Sequence, residues 1–129
     1  MTTQTHDQLL STIQDALKAC GYTGSLEGGN LQTRTPLTGE DLFKIQGTTK
    51  EQATEMIAAA DEAFKSWRDV PAPRRGNVIK RWGELLTEHK HDLGILVQVE
   101  AGKSISEAEG VVQEMKDTDD FACGQFRML

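Results

Sequence analysis

The sequence has few of the residues that bind metals or crosslink small folds. It has only two cysteines, Cys20 and Cys123, in 129 residues, too few for a disulfide framework or a structural zinc site. Neither is paired in the sequence with a base that would activate a thiolate, so we expect buried or spectator thiols. His89 and His91 are two residues apart, on different faces of a helix, and His6 is isolated. We predict no metal site.

Basic charge, long apolar runs and aromatic residues are also scarce. The formal net charge of −6 argues against nucleic-acid binding. No run approaches the roughly 20 apolar residues of a membrane span, and the opening "MTTQTHDQLL" lacks the regions of a signal peptide. We therefore expect a cytoplasmic protein that binds neither nucleic acid nor membranes. Aromatic residues make up 5% of the chain, which predicts an aliphatic core.

The first third of the chain predicts a helix followed by a hairpin. Thr5 and Gln8 have the spacing of a capping box, and Gly21 is placed to end the helix. Between them, apolar residues recur at helical spacing over residues 5–20: Leu9, Ile13, Ala16, Leu17 and Cys20. Extended pieces near 31–35 and 41–46 can then pair around a turn at Pro36–Gly39.

From residue 48 onward the pattern is helical. Thr48 and Glu51 fit a second capping box, and Pro73 is suited to the first position of a later helix. One helical face carries an apolar stripe: Ala53, Met56, Ile57, Ala60, Phe64 and Trp67. A further apolar piece, "LGILVQV" (93–99), follows. Both apolar segments require burial against another surface.

A Gly-Lys-Ser sequence raises two alternatives, a phosphate-binding loop or a joint between helices. The loop needs a glycine five residues before Gly102, where the chain has Val97. Gly102 instead fits a helix C-cap, and Ser104 with Glu107 fits a third capping box. The joint is favoured, and a last helix is predicted to about Arg127. Its apolar residues have nearly helical spacing: Val112, Met115, Ala122 and Phe126.

Together these elements predict a mostly helical α+β chain. It divides into a first helix (1–21), a hairpin region (22–47) and a helical region of three or four helices (48–129). The helical pattern is still running at the final "GQFRML", and natural domains usually end in a turn or a polar tail. We therefore expect a truncated chain.

Three stretches carry a resemblance to a known family: "TPLTGEDLFKIQGTTKEQATEMIAAADEAFKSW", "VPAPRRGNVIKRWGELLTEHKHDLGILVQVEAGK" and "VQEMKDTDDFACGQFRML". In this order they resemble the N-terminal quarter of the aldehyde dehydrogenase superfamily, over roughly residues 30–129. The phrases "VPAPRRG", "EAGK" and "VQE" are most similar to the α-aminoadipic semialdehyde (antiquitin-like, piperideine-6-carboxylate) dehydrogenase branch. The resemblance implies a partial segment of the family's α/β fold.

The resemblance also implies a chemistry, the NAD(P)-dependent oxidation of an aldehyde to a carboxylic acid, with α-aminoadipic semialdehyde as the candidate substrate. In the family a cysteine thiolate attacks the aldehyde and the cofactor takes the hydride. The family's catalytic and cofactor-binding motifs follow beyond the segment matched here. We therefore assign no catalytic, cofactor-binding or metal-binding residue to this chain. We expect it to be inactive alone and to bind no NAD or NADP, with the remainder of the fold or a homo-oligomer as its partner.

One site residue carries over from the branch. The Glu of "VQE", Glu114, would line the aldehyde-entry channel and pair with a substrate ammonium group. Phe121, seven residues later on the same helical face, would form a wall of that channel. The alternative for Glu114 is an ordinary solvated helix residue. Residues 110–112 and 124–127 depart from the branch's usual Gly-Glu-Val and Gly-Leu-Ser-Arg, and these departures bear on substrate specificity.

A second function class remains open, a free-standing helical module that binds a partner. A fragment of the enzyme should expose apolar patches or self-associate. In the complete fold the dinucleotide-binding domain would cover most of the apolar stripe of residues 53–67 and of "LGILVQV", and the fragment lacks that domain. An autonomous module should instead unfold cooperatively as a soluble monomer.

Overall fold

A computed structural model describes residues 5–125 and 128. In chain order the elements are α1 (His6–Ala19), β1 (Leu31–Arg34), β2 (Asp41–Ile45), α2 (Lys50–Trp67), α3 (Ala72–Glu88), α4 (Lys90–Ala101) and α5 (Ile105–Gln125). The mostly helical α+β class is confirmed, with four helices after the hairpin in the part of the chain described. The predicted end of the last helix, Phe126 and Arg127, lies outside the described residues.

Both ends of α1 form as the sequence predicts. The Gln8 amide donates to Thr5 Oγ1 at 3.3 Å and the Thr5 amide donates to Gln8 Oε1 at 2.9 Å, which completes the capping box. At the other end Gly21 takes a φ of 79°. Its amide donates to the Lys18 carbonyl, and the amide of Tyr22 donates to the Leu17 carbonyl. This is the bond pattern with which a left-handed glycine ends a helix.

The predicted hairpin is a two-stranded antiparallel sheet. β1 pairs with β2 from Leu31 opposite Ile45, and the register shifts near Thr33. The Thr33 hydroxyl fills this irregularity, because Oγ1 accepts from the Phe43 amide at 3.0 Å and donates to the Phe43 carbonyl at 3.1 Å. The turn between the strands lies at residues 36–39, as predicted, with Gly39 at a φ of 77°.

The start of α2 corrects one prediction. Its cap is Thr49, whose Oγ1 accepts from the Gln52 amide while the Thr49 amide donates to Gln52 Oε1. The expected pair of Thr48 and Glu51 is wrong by one residue. The two threonines are adjacent, and each is followed three residues later by Glu or Gln, so the pattern alone does not distinguish them.

A smaller correction applies to α3. The helix begins at Ala72 with Pro71 as its cap, so Pro73 lies at the second helical position and not the first. The first four amides of a helix have no partner within it. A proline, which has no amide hydrogen, is therefore tolerated at either position.

α5 is the centre of the packing and runs antiparallel to α3 and α4. Its residues approach the two helices in reverse order, with Cys123 at Gly76, Asp119 at Gly83 and Glu109 at Gly94. α1 packs against α4 and the hairpin, around an apolar cluster of Leu9, Ile13 and Val99 with Leu17, Leu42, Phe43 and Leu96. The "LGILVQV" segment is therefore partly covered within this chain, with Gly94 and Val99 buried and its other residues half-buried.

α2 is different, since no helix or strand of the described residues packs along it. None of its residues is buried, and its large apolar side chains stay exposed: Met56, Ile57, Phe64 and Trp67. The predicted exposed apolar patch is confirmed on this helix.

Candidate functional site

The two residues predicted from the resemblance, Glu114 and Phe121, lie on the solvent face of α5. Both are exposed, Phe121 by 68% of its surface. Seven residues along a helix make nearly two turns, so the two side chains share one face about 10 Å apart. The opposite face of α5 carries its buried residues Ala108, Val112 and Asp119. The packing of α5 thus turns Glu114 and Phe121 outward together.

The Glu114 carboxylate is available for a ligand. Among the described residues its oxygens make no hydrogen bond or ion pair, and only its backbone carbonyl is engaged, by the Thr118 hydroxyl at 2.9 Å. Several neighbouring polar side chains of α5 are paired: Gln113 bonds Lys90 and Asp117, and Lys116 pairs with Asp120. A single exposed carboxylate can attract a cation but does not enclose it.

The Gly-Lys-Ser segment is a joint between α4 and α5. Gly102 ends α4 at a φ of 69°, and its amide donates to the Gln98 carbonyl at 2.8 Å. The Ser104 amide and hydroxyl both donate to the Glu107 carboxylate, and the Glu107 amide donates back to Ser104 Oγ. These bonds lower the pKa of Glu107. Amides engaged in this way cannot wrap a phosphate, so the joint prediction is confirmed.

The hairpin is fixed to this joint from the other side. The buried Thr35 hydroxyl donates to the Val99 carbonyl, near the end of α4, at 2.8 Å. A Cβ added at Gly102 would lie 3.0 Å from Pro36 Cγ. The hairpin turn therefore packs against the end of α4 at Gly102. Glycine is needed there both for the left-handed φ and because a side chain would meet Pro36.

Asp119 is the unusual residue that the sequence reasoning missed. It is 6% exposed, and its Oδ2 has no hydrogen-bond partner among the described residues. Burial, assisted by repulsion from Asp120, raises its pKa. A signal was present in the sequence, because Asp119 follows Val112 by seven residues and so falls on the apolar face of the same helix.

The cysteines and histidines do not converge on a site. Cys20 is half-buried, and burial with the nearby Asp92 raises its pKa, which disfavours the reactive thiolate. Cys123 is also half-buried, with its sulfur 3.6 Å from the Gly76 carbonyl. The histidines lie near carboxylates instead, His6 at Glu40, His89 at Asp92 and His91 at Glu109. Over residues 5–125 and 128 no three metal-ligating side chains lie together.

In the part of the chain that the structure describes, no helix combines sufficient length with sufficient apolar character to cross a bilayer.

Comparison with known proteins identifies the family. The model of the aldehyde dehydrogenase family matches residues 23–129. Malonate-semialdehyde dehydrogenase 2 of Geobacillus kaustophilus is 43% identical over 103 residues, 80% of this chain and 21% of that protein. Alpha-aminoadipic semialdehyde dehydrogenase of Bos taurus is 37% identical over 110 residues, 84% of this chain and 20% of that protein.

The chain belongs to the aldehyde dehydrogenase family. It spans about a fifth of the length of the curated relatives it matches. The first helix, α1, precedes the segment matched by the family model yet packs on α4 within it. The two relatives act by name on different semialdehydes, so membership of the family alone leaves the substrate open.

Proposed function

We propose that this chain is the N-terminal segment of an enzyme that oxidises an aldehyde to a carboxylic acid with NAD or NADP, and that it is inactive by itself. The observation that carries the proposal is the family match over residues 23–129. The inactivity is supported by the thiols, since Cys20 has a raised pKa and Cys123 faces a backbone carbonyl. Neither is poised as a nucleophile.

The described residues do not fit a dinucleotide cofactor. Cofactor sites of this class use a glycine-rich turn between a parallel strand and a helix. Here the two strands form an antiparallel hairpin, and the amides of the Gly-Lys-Ser joint are already bonded within the chain. We therefore place cofactor binding and catalysis in the remainder of the aldehyde dehydrogenase fold, with which this chain would act. Cytoplasmic location stays a prediction.

For substrate choice we propose that Glu114 favours aldehydes that carry an ammonium group, with α-aminoadipic semialdehyde as the candidate. The support is the unpaired, outward-facing carboxylate on the same face of α5 as Phe121. A carboxylate attracts an ammonium and repels the carboxylate of malonate semialdehyde. α-Aminoadipic semialdehyde carries an ammonium and a carboxylate on one carbon, so the proposal requires that its ammonium face Glu114. Water screens the attraction at an exposed position, so the selectivity depends on the remainder of the protein covering this face.

The test is a chimera in which residues 23–129 replace the matching segment of the Geobacillus kaustophilus enzyme. Glu114→Gln should lower kcat/KM about tenfold for an ammonium-bearing aldehyde, the equivalent of about 1.4 kcal/mol. It should leave a neutral aldehyde of equal length unchanged and improve use of malonate semialdehyde. The matched control is Glu100→Gln, an exposed glutamate of α4, which should change none of the three. Equal effects of Glu114→Gln on all substrates would remove the proposed role.

The alternative is an interaction module derived from the family, which would bind its partner through the exposed apolar face of α2. Cooperative unfolding of a soluble monomer without turnover would support it over the enzyme segment.

A further inference from the structure

Thr35 is a buried polar residue of the hairpin whose amide, carbonyl and hydroxyl are all bonded. It is 1% exposed. Its amide donates to the Glu40 carbonyl at 3.1 Å, and its carbonyl accepts from the Gly39 amide at 2.9 Å. Its hydroxyl accepts from the Leu37 amide at 3.3 Å and donates to the Val99 carbonyl at 2.8 Å. The hairpin turn therefore holds the Thr35 hydroxyl in one orientation, directed at α4.

The Val99 carbonyl needs this donor. Val99 lies in the last turn of α4, where carbonyls have no amide partner within the helix. It is 4% exposed, and the Gly102 amide is already engaged by the Gln98 carbonyl. Because a buried carbonyl without a donor is costly, Thr35 acts as a cap for the end of α4, supplied from 64 residues away.

Val99 is held on two sides within this chain. Its side chain packs against Leu9 and Ile13 of α1, and its carbonyl is bonded to the hairpin. The described residues alone bury both Thr35 and Val99. The contact is therefore complete in this chain and does not need the remainder of the fold.

The end of α4 sets the start of α5. The joint between the two helices is only three residues long, 102–104. Its first residue, Gly102, lies against Pro36 of the hairpin turn. Its last residue, Ser104, is bonded to Glu107 in the first turn of α5. Because the joint is short and bonded at both ends, a shift at the end of α4 moves the start of α5.

We propose that Thr35 is a positioning residue for the exposed carboxylate of Glu114. Glu114 lies ten residues along the chain from Ser104, about 15 Å along the helix. Among the described residues no hydrogen bond or ion pair holds its carboxylate, and only its backbone carbonyl is engaged. The direction of the carboxylate therefore follows the placement of α5, which Thr35 fixes at the α4 end. The inference rests on the proposed role of Glu114, and it adds a residue that acts on substrate choice without touching the substrate.

Hydrogen exchange of the 129-residue chain tests the structural step. Thr35→Val removes the donor and keeps the side-chain shape, and it should accelerate exchange of the Gly102 and Glu107 amides about tenfold. Thr35→Ser keeps the hydroxyl and should leave this exchange unchanged. The matched control is Thr33→Val, which removes a hydroxyl bonded to Phe43 within the hairpin and should leave the joint unchanged.

The chimera that carries residues 23–129 tests the effect on substrate choice. Thr35→Val should raise KM for an ammonium-bearing aldehyde about threefold, with kcat and the KM of a neutral aldehyde of equal length unchanged. Thr35→Ser should restore the KM, and Thr33→Val should change neither substrate. Pro36→Ala, a milder change at an exposed residue of the same turn, should shift the same KM in the same direction and takes the place of Thr35→Val if that variant does not fold.

The outcomes separate this proposal from the proposed function. A selective effect of Glu114→Gln, with no effect of Thr35→Val on exchange or on KM, would overturn the positioning role alone. Faster exchange at the joint without a selective change in KM would also overturn it, because Thr35 would then stabilise the fold without directing Glu114. The absence of any selective effect of Glu114→Gln would remove the proposed role of Glu114 and the positioning role with it.

Discussion

The carboxylate of Asp119 on α5 is held directly against Gly83 on α3. A Cβ added at Gly83 would lie 3.1 Å from Asp119 Oδ2, closer than ordinary van der Waals contact. Both residues are buried, and the carboxylate oxygen has no donor among the described residues. The two helices therefore approach closely where one has no side chain and the other has a carboxylate oxygen without a partner.

Replacing glycines should reveal this close approach. Gly83→Ala should lower the free energy of unfolding by about 1 kcal/mol, because the methyl group overpacks the interface. The control is Gly110→Ala on α5, where an added Cβ meets nothing within 4 Å. That change should raise the free energy of unfolding by about 0.5–1 kcal/mol through helix propensity alone. Urea unfolding compares the two variants, and equal stabilisation by both would show that Asp119 moves aside freely.

The buried carboxylate should also make stability fall as pH rises. Because the pKa of Asp119 is raised in the fold, the unfolded chain releases this proton at lower pH than the folded chain. The free energy of unfolding therefore falls as pH rises from the ordinary carboxyl pKa of about 4 to the raised pKa of Asp119. Above the raised pKa the loss stays constant.

Asp119→Asn should remove this cost, although its amide hydrogens gain no partner. The advantage of the variant over the wild type should grow with pH over that window and then level off. Asp117→Asn, an exposed change on the same helix, is the control and should show no such growth. A pH-independent difference between Asp119→Asn and the wild type would contradict the buried-charge account.

The cap of α2 offers a local test. Thr49→Ala removes the hydroxyl that accepts from the Gln52 amide at 3.2 Å, and a lost N-cap costs about 1 kcal/mol. Because no described helix or strand packs along α2, the loss should appear as fraying of the helix more than as global unfolding. Hydrogen exchange of the first α2 amides should accelerate about fivefold in Thr49→Ala, from the same free energy. Thr48→Ala is the matched control and should leave exchange unchanged.

The helix boundaries could largely be predicted from the sequence, because the capping residues that set them lie within one turn of each other. Thr5 with Gln8, Ser104 with Glu107, and the glycines at 21 and 102 form the predicted boundaries. These signals depend on residues three or four apart, so no tertiary contact is needed to interpret them. The failure at Thr48 came from two overlapping copies of the same signal.

Contacts distant in sequence could not be predicted in this way. Thr35 donates to the carbonyl of Val99, 64 residues away, and the partner of "LGILVQV" proved to be α1 and α5. Periodicity shows that a face must be buried but not which surface buries it. For the candidate site, Glu114 came from family resemblance and the shared face of Phe121 from helical spacing, and the placement of α5 adds that this face is exposed.

The most direct test of the account is dinucleotide reduction by the purified 129-residue chain and by the chimera that carries residues 23–129. Both are incubated with NAD or NADP and a panel of ammonium-bearing, neutral and anionic aldehydes. The account predicts reduced dinucleotide from the chimera and none from the chain alone. Turnover by the isolated chain, or an inactive chimera that is correctly folded, would contradict it.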